Sequence, residues 1–203
     1  MVPKLISTYP LISDQINKQA LSVVLQALEE TLDAAVPGDI VEFGCYIGTT
    51  SLFMRRLMDI HTASKQLYAY DSFEGLPPKT TQDQNAAGIN FKEGELRVSK
   101  KQFLEQFKRA RLHPPITHIA WFTDLTAQQL PEEISFAFMD GDFYQSIIDS
   151  LHIVWPRISK GGIIAVDDYK RETLPGVEQA LHDFFKDKSY HLRAAHNIAI
   201  ITV

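Results

Sequence analysis

Short apolar runs alternate with longer amphipathic segments along this chain. The run from Ile134 to Met139 is long enough for a buried strand and too short for a helix. A second apolar run opens at Gly161-Gly162 and extends to Val166. Between the two runs, residues 145–159 carry their apolar side chains at helical spacing. This order of strand, helix and strand predicts a crossover unit whose two strands are parallel and adjacent.

The same alternation predicts the remaining elements. We expect an irregular arm over residues 1–10, then a helix that is capped by Ser13 or Asp14 and ends before Pro37-Gly38. The other predicted helices are 49–58, 98–110 and 177–186. The other predicted strands are a short one that begins at Asp39, then 66–71, 116–122, and two final strands, 190–195 and 197–203, that form a hairpin.

Composition narrows the class of protein. The chain has 203 residues, of which 45% are hydrophobic and 22% charged, as in an ordinary globular protein with one domain. Its net charge of −5 argues against nucleic acid as a partner. The single cysteine, Cys45, excludes an internal disulfide and suits a reducing compartment. Because no apolar run reaches membrane-spanning length and no signal-peptide pattern opens the chain, we expect a cytoplasmic protein without a membrane partner.

Paired aspartates follow each of the two central strands. Asp140 and Asp142 come after the first strand, and Asp167 and Asp168 follow the second. Parallel neighbouring strands end at one edge of a sheet, which is where open α/β sheets bind ligands. Four carboxylates repel one another there, so the pattern predicts a divalent cation with oxygen ligands. The alternative is that these aspartates only cap the following turns.

The first strand leads into a glycine-containing turn. Gly44 and Gly48 would let a ligand approach the backbone, and Glu42 could accept hydrogen bonds from a cationic or hydroxyl-bearing ligand. The glycine spacing differs from Gly-x-Gly-x-x-Gly, which disfavours a dinucleotide dehydrogenase. Asp71 ends the next strand, roughly 30 residues later, where nucleotide-binding folds place a carboxylate on the ribose hydroxyls. Its alternative role is to cap a turn.

Two further segments are candidates for ligand contact. Trp121 and Phe122 could stack on an adenine or belong to the core. The polar stretch 79–94 is too long for a plain connection, which makes it a candidate mobile lid or substrate loop.

Four stretches of the chain resemble the macrocin O-methyltransferase (TylF-like) family: 36–48, 70–77, 138–144 and 155–169. Members of this family are S-adenosylmethionine-dependent enzymes that methylate sugar hydroxyls in antibiotic biosynthesis. The resemblance implies a Rossmann-like, doubly wound α/β fold. Its mostly parallel seven-stranded sheet would have an antiparallel last strand and helices on both faces. Residues 37–203 would form the methyltransferase domain of a single-domain chain, preceded by an N-terminal arm and helix over residues 1–36.

The resemblance also implies roles for individual residues. Glu42 and Gly44 would hold the methionine part of S-adenosylmethionine, and Asp71 would bind its ribose. The residues expected to contact this cofactor are Glu42, Gly44, Tyr46, Gly48, Thr50, Asp71, Ser72, Phe73, Trp121, Phe122 and Asp140. Mg²⁺ would be bound by Asp140, Asp167 and Asp168, with Asp142 as the catalytic base or the alternative ligand.

The expected function is therefore Mg²⁺-assisted transfer of a methyl group to a hydroxyl of a sugar or small natural product. Phe143 stands where catechol-type enzymes have a catalytic lysine, so the acceptor and the general base stay open. The alternatives are a catechol or phenol O-methyltransferase and a cofactor-binding protein without catalysis. The expected partner is a small-molecule hydroxyl acceptor, and a homo-oligomer is left open.

Overall fold

Seven strands form one mixed sheet in a computed structural model that describes residues 1–84 and 91–203. The strands are β1 (Asp39–Phe43), β2 (Leu67–Asp71), β3 (Ile116–Ile119), β4 (Ile134–Met139), β5 (Ile158–Val166), β6 (His191–Ala195) and β7 (Ile198–Thr202). Their order in the sheet is β3-β2-β1-β4-β5-β7-β6. Strands β1 to β5 are parallel, and β7 runs antiparallel to both β5 and β6. The predicted crossover between β4 and β5 is confirmed.

Helices cover both faces of the sheet. They are α1 (Val2–Thr8), α2 (Lys18–Asp33), α3 (Thr49–Ile60), α4 (Lys100–Ala110), α5 (Tyr144–Val154) and α6 (Pro175–Phe185). Alternate residues of a strand point to opposite faces. In β4, Phe136 and Phe138 therefore pack in the cluster that contains α1, α2 and α3, whereas Ala137 and Met139 pack in the cluster that contains α5 and α6. The predicted Rossmann-like α/β fold is confirmed.

The N-terminal segment differs from the prediction. The irregular arm expected over residues 1–10 is wrong, because Val2, Leu5 and Ile6 bury one face of α1. Pro3 is compatible with this helix because a proline in the first turn gives up no intrahelical hydrogen bond. The expected caps of the next helix are also wrong, since Asn17 caps α2 by accepting a 2.9 Å hydrogen bond from the backbone N–H of Ala20. The domain boundary near residue 36 stays a prediction.

Several helices and strands also end at residues other than those predicted. Strand β3 ends at Ile119 rather than at residue 122, and a 3₁₀ turn then spans Phe122–Asp124. Helix α5 ends at Val154 because Pro156 lies in the 3₁₀ turn that follows. The hairpin between β6 and β7 is confirmed, with His196 and Asn197 both at positive φ. No helix in the two described ranges is long and apolar enough to cross a membrane.

Candidate functional site

A cavity of about 530 Å³ lies at the carboxyl ends of β1, β2, β4 and β5. This is the point where the strand order reverses, since β1 has β2 on one side and β4 on the other. Its lining includes nine of the predicted site residues: Gly44, Tyr46, Asp71, Ser72, Trp121, Phe122, Asp140, Asp142 and Asp168. Five other predicted residues do not line it: Glu42, Gly48, Thr50, Phe73 and Asp167.

The two glycines after β1 have different structural roles. A Cβ on Gly44 would lie 1.9 Å from the carbonyl oxygen of Asp140, so only glycine lets the ends of β1 and β4 approach this closely. A Cβ on Gly48 would lie 2.9 Å from the Phe103 ring. Both glycines have positive φ, which other residues adopt at a cost. Gly44 therefore shapes the cavity floor, whereas Gly48 allows α3 to pack near α4.

Glu42 lies within the sheet and is 1% exposed. Its Oε2 accepts a hydrogen bond from the hydroxyl of Ser51. Burial raises the pKa of Glu42 to about 8, against the lowering effect of the Ser51 hydrogen bond, and the charge of Asp71 raises it further. The same electrostatic field extends to Asp140, whose pKa is raised in part by Glu42. The charge of Glu42 thus acts on a residue that lines the cavity, although the side chain of Glu42 does not line it.

Asp71 caps turns, which is one of the two roles that the sequence left as alternatives, and its ribose contact stays a prediction. Its Oδ2 accepts hydrogen bonds from the backbone N–H groups of Cys45 (2.9 Å) and Tyr46 (3.0 Å), and its Oδ1 accepts one from Phe73 (2.7 Å). Asp71 therefore fixes the turns that follow β1 and β2. It also lines the cavity. Among the described residues, Oδ1 has only the Phe73 donor, and a carboxylate oxygen can accept two hydrogen bonds, so one acceptor position is left for a ligand.

Three aspartates come together at the edge of the cavity. Asp140, Asp142 and Asp168 each offer one carboxylate oxygen, and these oxygens lie within 4.8 Å of one another. Burial, followed by repulsion from neighbouring carboxylates, raises the pKa of Asp140 and that of Asp142. Burial also raises the pKa of Asp168. We call Asp140, Asp142 and Asp168 the acidic trio.

The trio includes two of the three predicted metal ligands and the alternative ligand, Asp142. The remaining predicted ligand, Asp167, accepts a 2.7 Å hydrogen bond from the backbone N–H of Asp168. Burial and the charge of Asp168 raise the pKa of Asp167 to about 7. The identity of the metal ligands stays a prediction.

One charged residue of the site was missed by the sequence reasoning. The guanidinium of Arg171 contacts Oδ1 of Asp168 at 2.5 Å and lines the cavity. It therefore supplies part of the positive charge that the clustered aspartates require. Its position three residues after Asp168 was the available signal. Other lining residues that were missed are Gln15, Gln145, Ser146 and Asp149.

Residues 75–80 line the cavity, and together with residues 81–84 they form what we call the covering segment. At one end, the backbone N–H of Leu76 donates to the carbonyl of Glu95, and the N–H of Gly94 donates to the carbonyl of Leu76, both at 2.9 Å. At the other end, Asp83 is 1% exposed. Residues 79–84 and 91–94 of the predicted lid are described, and several of them line the cavity. Residues 85–90 of that prediction lie outside the described residues.

Asp83 attaches the covering segment to the start of α5. Its Oδ1 accepts a 2.7 Å hydrogen bond from the backbone N–H of Tyr144. Its Oδ2 accepts hydrogen bonds from the backbone N–H (2.8 Å) and the hydroxyl (2.7 Å) of Thr80. A Cβ on Gly176 would lie 1.9 Å from Oδ1, so α6 also packs closely on this carboxylate. The segment is held at both of its ends.

Trp121 and Phe122 both line the cavity. Phe122 also packs edge-on against Phe43, with ring centroids 5.3 Å apart. Phe122 therefore contacts the core as well as the cavity, and stacking on an adenine stays a prediction.

Comparisons with known proteins agree with this geometry. The chain matches the family model described as macrocin-O-methyltransferase (TylF) over residues 9–198. One relative is the 8-demethyl-8-(2,3-dimethoxy-alpha-L-rhamnosyl)-tetracenomycin-C 4'-O-methyltransferase of Streptomyces olivaceus. The two sequences are 31% identical over 164 residues, and this alignment covers 77% of this chain and 61% of that protein. The chain is 28% identical over 162 residues to the demethyldecarbamoylnovobiocin O-methyltransferase of Streptomyces niveus, 76% of this chain and 61% of that protein.

The chain thus spans 61% of the length of each of these two relatives. A solved structure, that of the O-methyltransferase NovP, superposes with a TM-score of 0.79 at 26% identity, covering 92% of this chain and 80% of that one. The match to the family model extends over most of the chain. The chain belongs to the macrocin O-methyltransferase (TylF) family.

Proposed function

We propose that the chain is an S-adenosylmethionine-dependent O-methyltransferase that acts, with Mg²⁺, on a hydroxyl of a sugar or small natural product. Family membership supports methyl transfer. The name of the Streptomyces olivaceus relative gives a rhamnosyl compound as its substrate and the 4' oxygen as the methylated position. The observation that carries the proposal is the acidic trio, which stands at the edge of the cavity that Gly44 and Asp71 also line.

The cavity fits S-adenosylmethionine in size and in chemistry. Its volume of about 530 Å³ is within the usual range of small-molecule sites. The open acceptor position on Asp71 suits a ribose hydroxyl, and the absent side chain of Gly44 leaves the backbone accessible. The carboxyl group of Glu42 lies near the end of the cavity that Gly44 lines. An ammonium group of the ligand would stabilise the ionised form of this carboxyl group. When bound, the cofactor supplies a methyl group on a cationic sulfur.

The acidic trio fits Mg²⁺. Three carboxylate oxygens within 4.8 Å of one another match the hard oxygen ligands that this ion prefers. Burial first, and then repulsion from neighbouring carboxylates, raises the pKa values of Asp140 and Asp142, and a bound cation would offset both effects. When bound, Mg²⁺ supplies Lewis-acid chemistry that makes a hydroxyl more acidic.

The residues of the chain then orient the acceptor and take its proton. Asp142 lines the cavity within the trio, and its carboxylate can accept the proton of the acceptor hydroxyl. The covering segment and the start of α5 wall the cavity, which limits the positions that an acceptor can take. Such positioning supplies a large part of the rate in a displacement reaction.

The test is transfer of a labelled methyl group from S-adenosylmethionine to rhamnosyl glycosides in the presence of Mg²⁺ or EDTA. We expect Mg²⁺-dependent methylation of a sugar hydroxyl. The Asp142→Asn variant should transfer at least about 100-fold more slowly, as for loss of a general base. Its affinity for S-adenosylhomocysteine, measured by calorimetry, should be unchanged. Asp187→Asn, at an exposed aspartate, is the control. Cofactor binding without transfer to any hydroxyl acceptor would instead support the non-catalytic alternative.

A further inference from the structure

Lys79 lies on the covering segment and lines the cavity. Its Nζ is buried and has no hydrogen-bond partner within residues 1–84 and 91–203. An ammonium group has three donors and no acceptor, and it is costly to bury without a partner. A ligand that occupies the cavity can supply the missing acceptor.

An aromatic ring lies beside this ammonium. Its nitrogen lies 5.4 Å from the ring centroid of Phe143, which provides a cation–π contact but no hydrogen-bond acceptor. Leu76, Pro77 and Pro78 on the same segment also line the cavity. A charged group in such surroundings gains most from a partner of opposite charge, because charge-assisted hydrogen bonds are roughly twice as strong as neutral ones.

The position of Lys79 is fixed from both sides. Leu76 is bonded through its backbone to Gly94 and Glu95. Thr80, the next residue after Lys79, donates two hydrogen bonds to the buried carboxylate of Asp83. Lys79 therefore projects from an anchored stretch of backbone.

Charge is distributed unevenly in the cavity. The acidic trio occupies the sheet edge, where Arg171 is paired with Asp168. Among the described lining residues, Lys79 is the cation that has no acidic partner. An acceptor with a neutral hydroxyl at one end and a negative charge at the other would match this arrangement.

We propose that Lys79 binds an anionic oxygen of the acceptor and so directs the acceptor's hydroxyl toward the acidic trio. The anionic oxygen belongs either to the phosphate of a nucleotide sugar or to a carboxylate of an aglycone. The inference rests on the proposed function and specifies the class of its acceptor.

The test is calorimetric binding of three rhamnose derivatives to the protein saturated with S-adenosylhomocysteine in Mg²⁺ buffer. The probes are dTDP-L-rhamnose, 4-carboxyphenyl α-L-rhamnoside and its neutral counterpart, 4-carbamoylphenyl α-L-rhamnoside. We expect at least one anionic probe to bind about tenfold or more tightly than the neutral one, as for a hydrogen bond to a charged group. The anionic probe that gains affinity identifies the source of the charge.

Variants then assign the preference to Lys79. Lys79→Met should reduce the affinity for the anionic probe to that of the neutral probe, and Lys79→Arg should retain most of the preference. The matched control is Lys188→Met, since Lys188 also lies over a ring, that of Phe184, but outside the cavity. It should bind all probes as the wild type does. The affinity for S-adenosylhomocysteine and the melting temperature show that each variant is folded.

The inference is wrong if the wild type has no preference for a negative charge, if it binds none of the probes, or if Lys79→Met weakens all three equally. Methyl transfer is measured separately. A charge preference that depends on Lys79, without methylation of any probe, would contradict the proposed function and leave the anion site in place.

Discussion

The backbone of Gly44 comes so close to Asp140 that an added methyl group would lie 1.9 Å from a carbonyl oxygen. We therefore expect Gly44→Ala to lower the free energy of unfolding by about 3 kcal/mol or more, since overpacking adds to the cost of positive φ. Urea unfolding measures the change.

Gly94→Ala is the control for this substitution. Gly94 has nearly the same φ, +80° against +83°, but a Cβ there meets no atom of the described residues within 4 Å. The free energy of unfolding of the Gly94→Ala variant should fall only by the cost of positive φ, about 1 kcal/mol. Equal losses in the two variants would show that the close approach at Gly44 is relieved by a small shift of the backbone.

The raised pKa of Glu42 leads us to predict that the stability of the protein depends on pH. Its pKa in the folded protein is about 8, against 4.5 for an ordinary glutamate, so the folded state binds more protons between these two values. The free energy of unfolding should therefore fall as pH rises from about 5 to about 8. Glu42→Gln, which cannot ionise, should lose less stability over this range. Urea unfolding at pH 5, 6.5 and 8 measures the difference between the two proteins, and parallel curves would contradict the prediction.

Some residues of the cavity could be predicted from their local position. The glycine directly after the first strand predicted that a ligand could approach the backbone, and Gly44 does line the cavity. The contact of Gly48 with Phe103 could not be predicted, because it depends on how α4 packs near α3. Lys79 was likewise assigned only to a polar loop, since its burial depends on the folding of the covering segment over Phe143.

At the scale of elements, the attachment of the covering segment to α5 depends on Asp83. Asp83→Ala leaves the backbone N–H of Tyr144 without its acceptor, and we expect faster hydrogen exchange at this amide. The free energy of unfolding should fall by about 1–3 kcal/mol, the cost of leaving a buried polar group unpaired.

A second 3₁₀ turn provides the matched control. The turn over Ala127–Gln129 has the same kind of cap, in which Thr126 donates to the side chain of Gln129, but its residues are not buried. Gln129→Ala should change stability by less than Asp83→Ala and leave exchange at Tyr144 unaltered. Similar effects of both substitutions would mean that Asp83 acts only as a local cap.

Element types were predictable because the central strands are short apolar runs and most helices have apolar side chains at helical spacing. The residues at which the elements begin and end were less predictable. Asn17 rather than Ser13 or Asp14 caps α2, and nothing in the local sequence separates these three good capping residues. Helix α1 was missed because Pro3 suggested irregular structure, whereas the burial of Val2, Leu5 and Ile6 decides the outcome.

At the scale of the whole molecule, a metal bound by the acidic trio should stabilise the fold by mass action. We expect a concentration of Mg²⁺ tenfold above its dissociation constant to add about 1.4 kcal/mol, a rise in melting temperature of roughly 2–6 °C. EDTA should reverse the rise, and Asp140→Asn should abolish it. Asp187→Asn, at an exposed position outside the cavity, should keep it. An equal response of all three proteins to Mg²⁺ would exclude the trio as the binding site.

The topology followed from the sequence because strand–helix–strand units connect in only one common way. That rule was enough to predict that the aspartates after β4 and β5 share one sheet edge. It could not predict which three of them come together. Asp142 and Asp168 both adopt positive φ, and these local conformations are not encoded in the strand pattern.

The walls of the cavity come from distant parts of the chain. Asp71 ends β2, Asp140 follows β4, and Asp168 follows β5, so none of these groups is near the others until the central sheet is assembled. Partly folded chains should therefore have no affinity for the proposed cofactor. Binding of S-adenosylhomocysteine can thus serve as a time-resolved reporter of completed refolding, and the ligand should slow unfolding without accelerating the early steps of collapse.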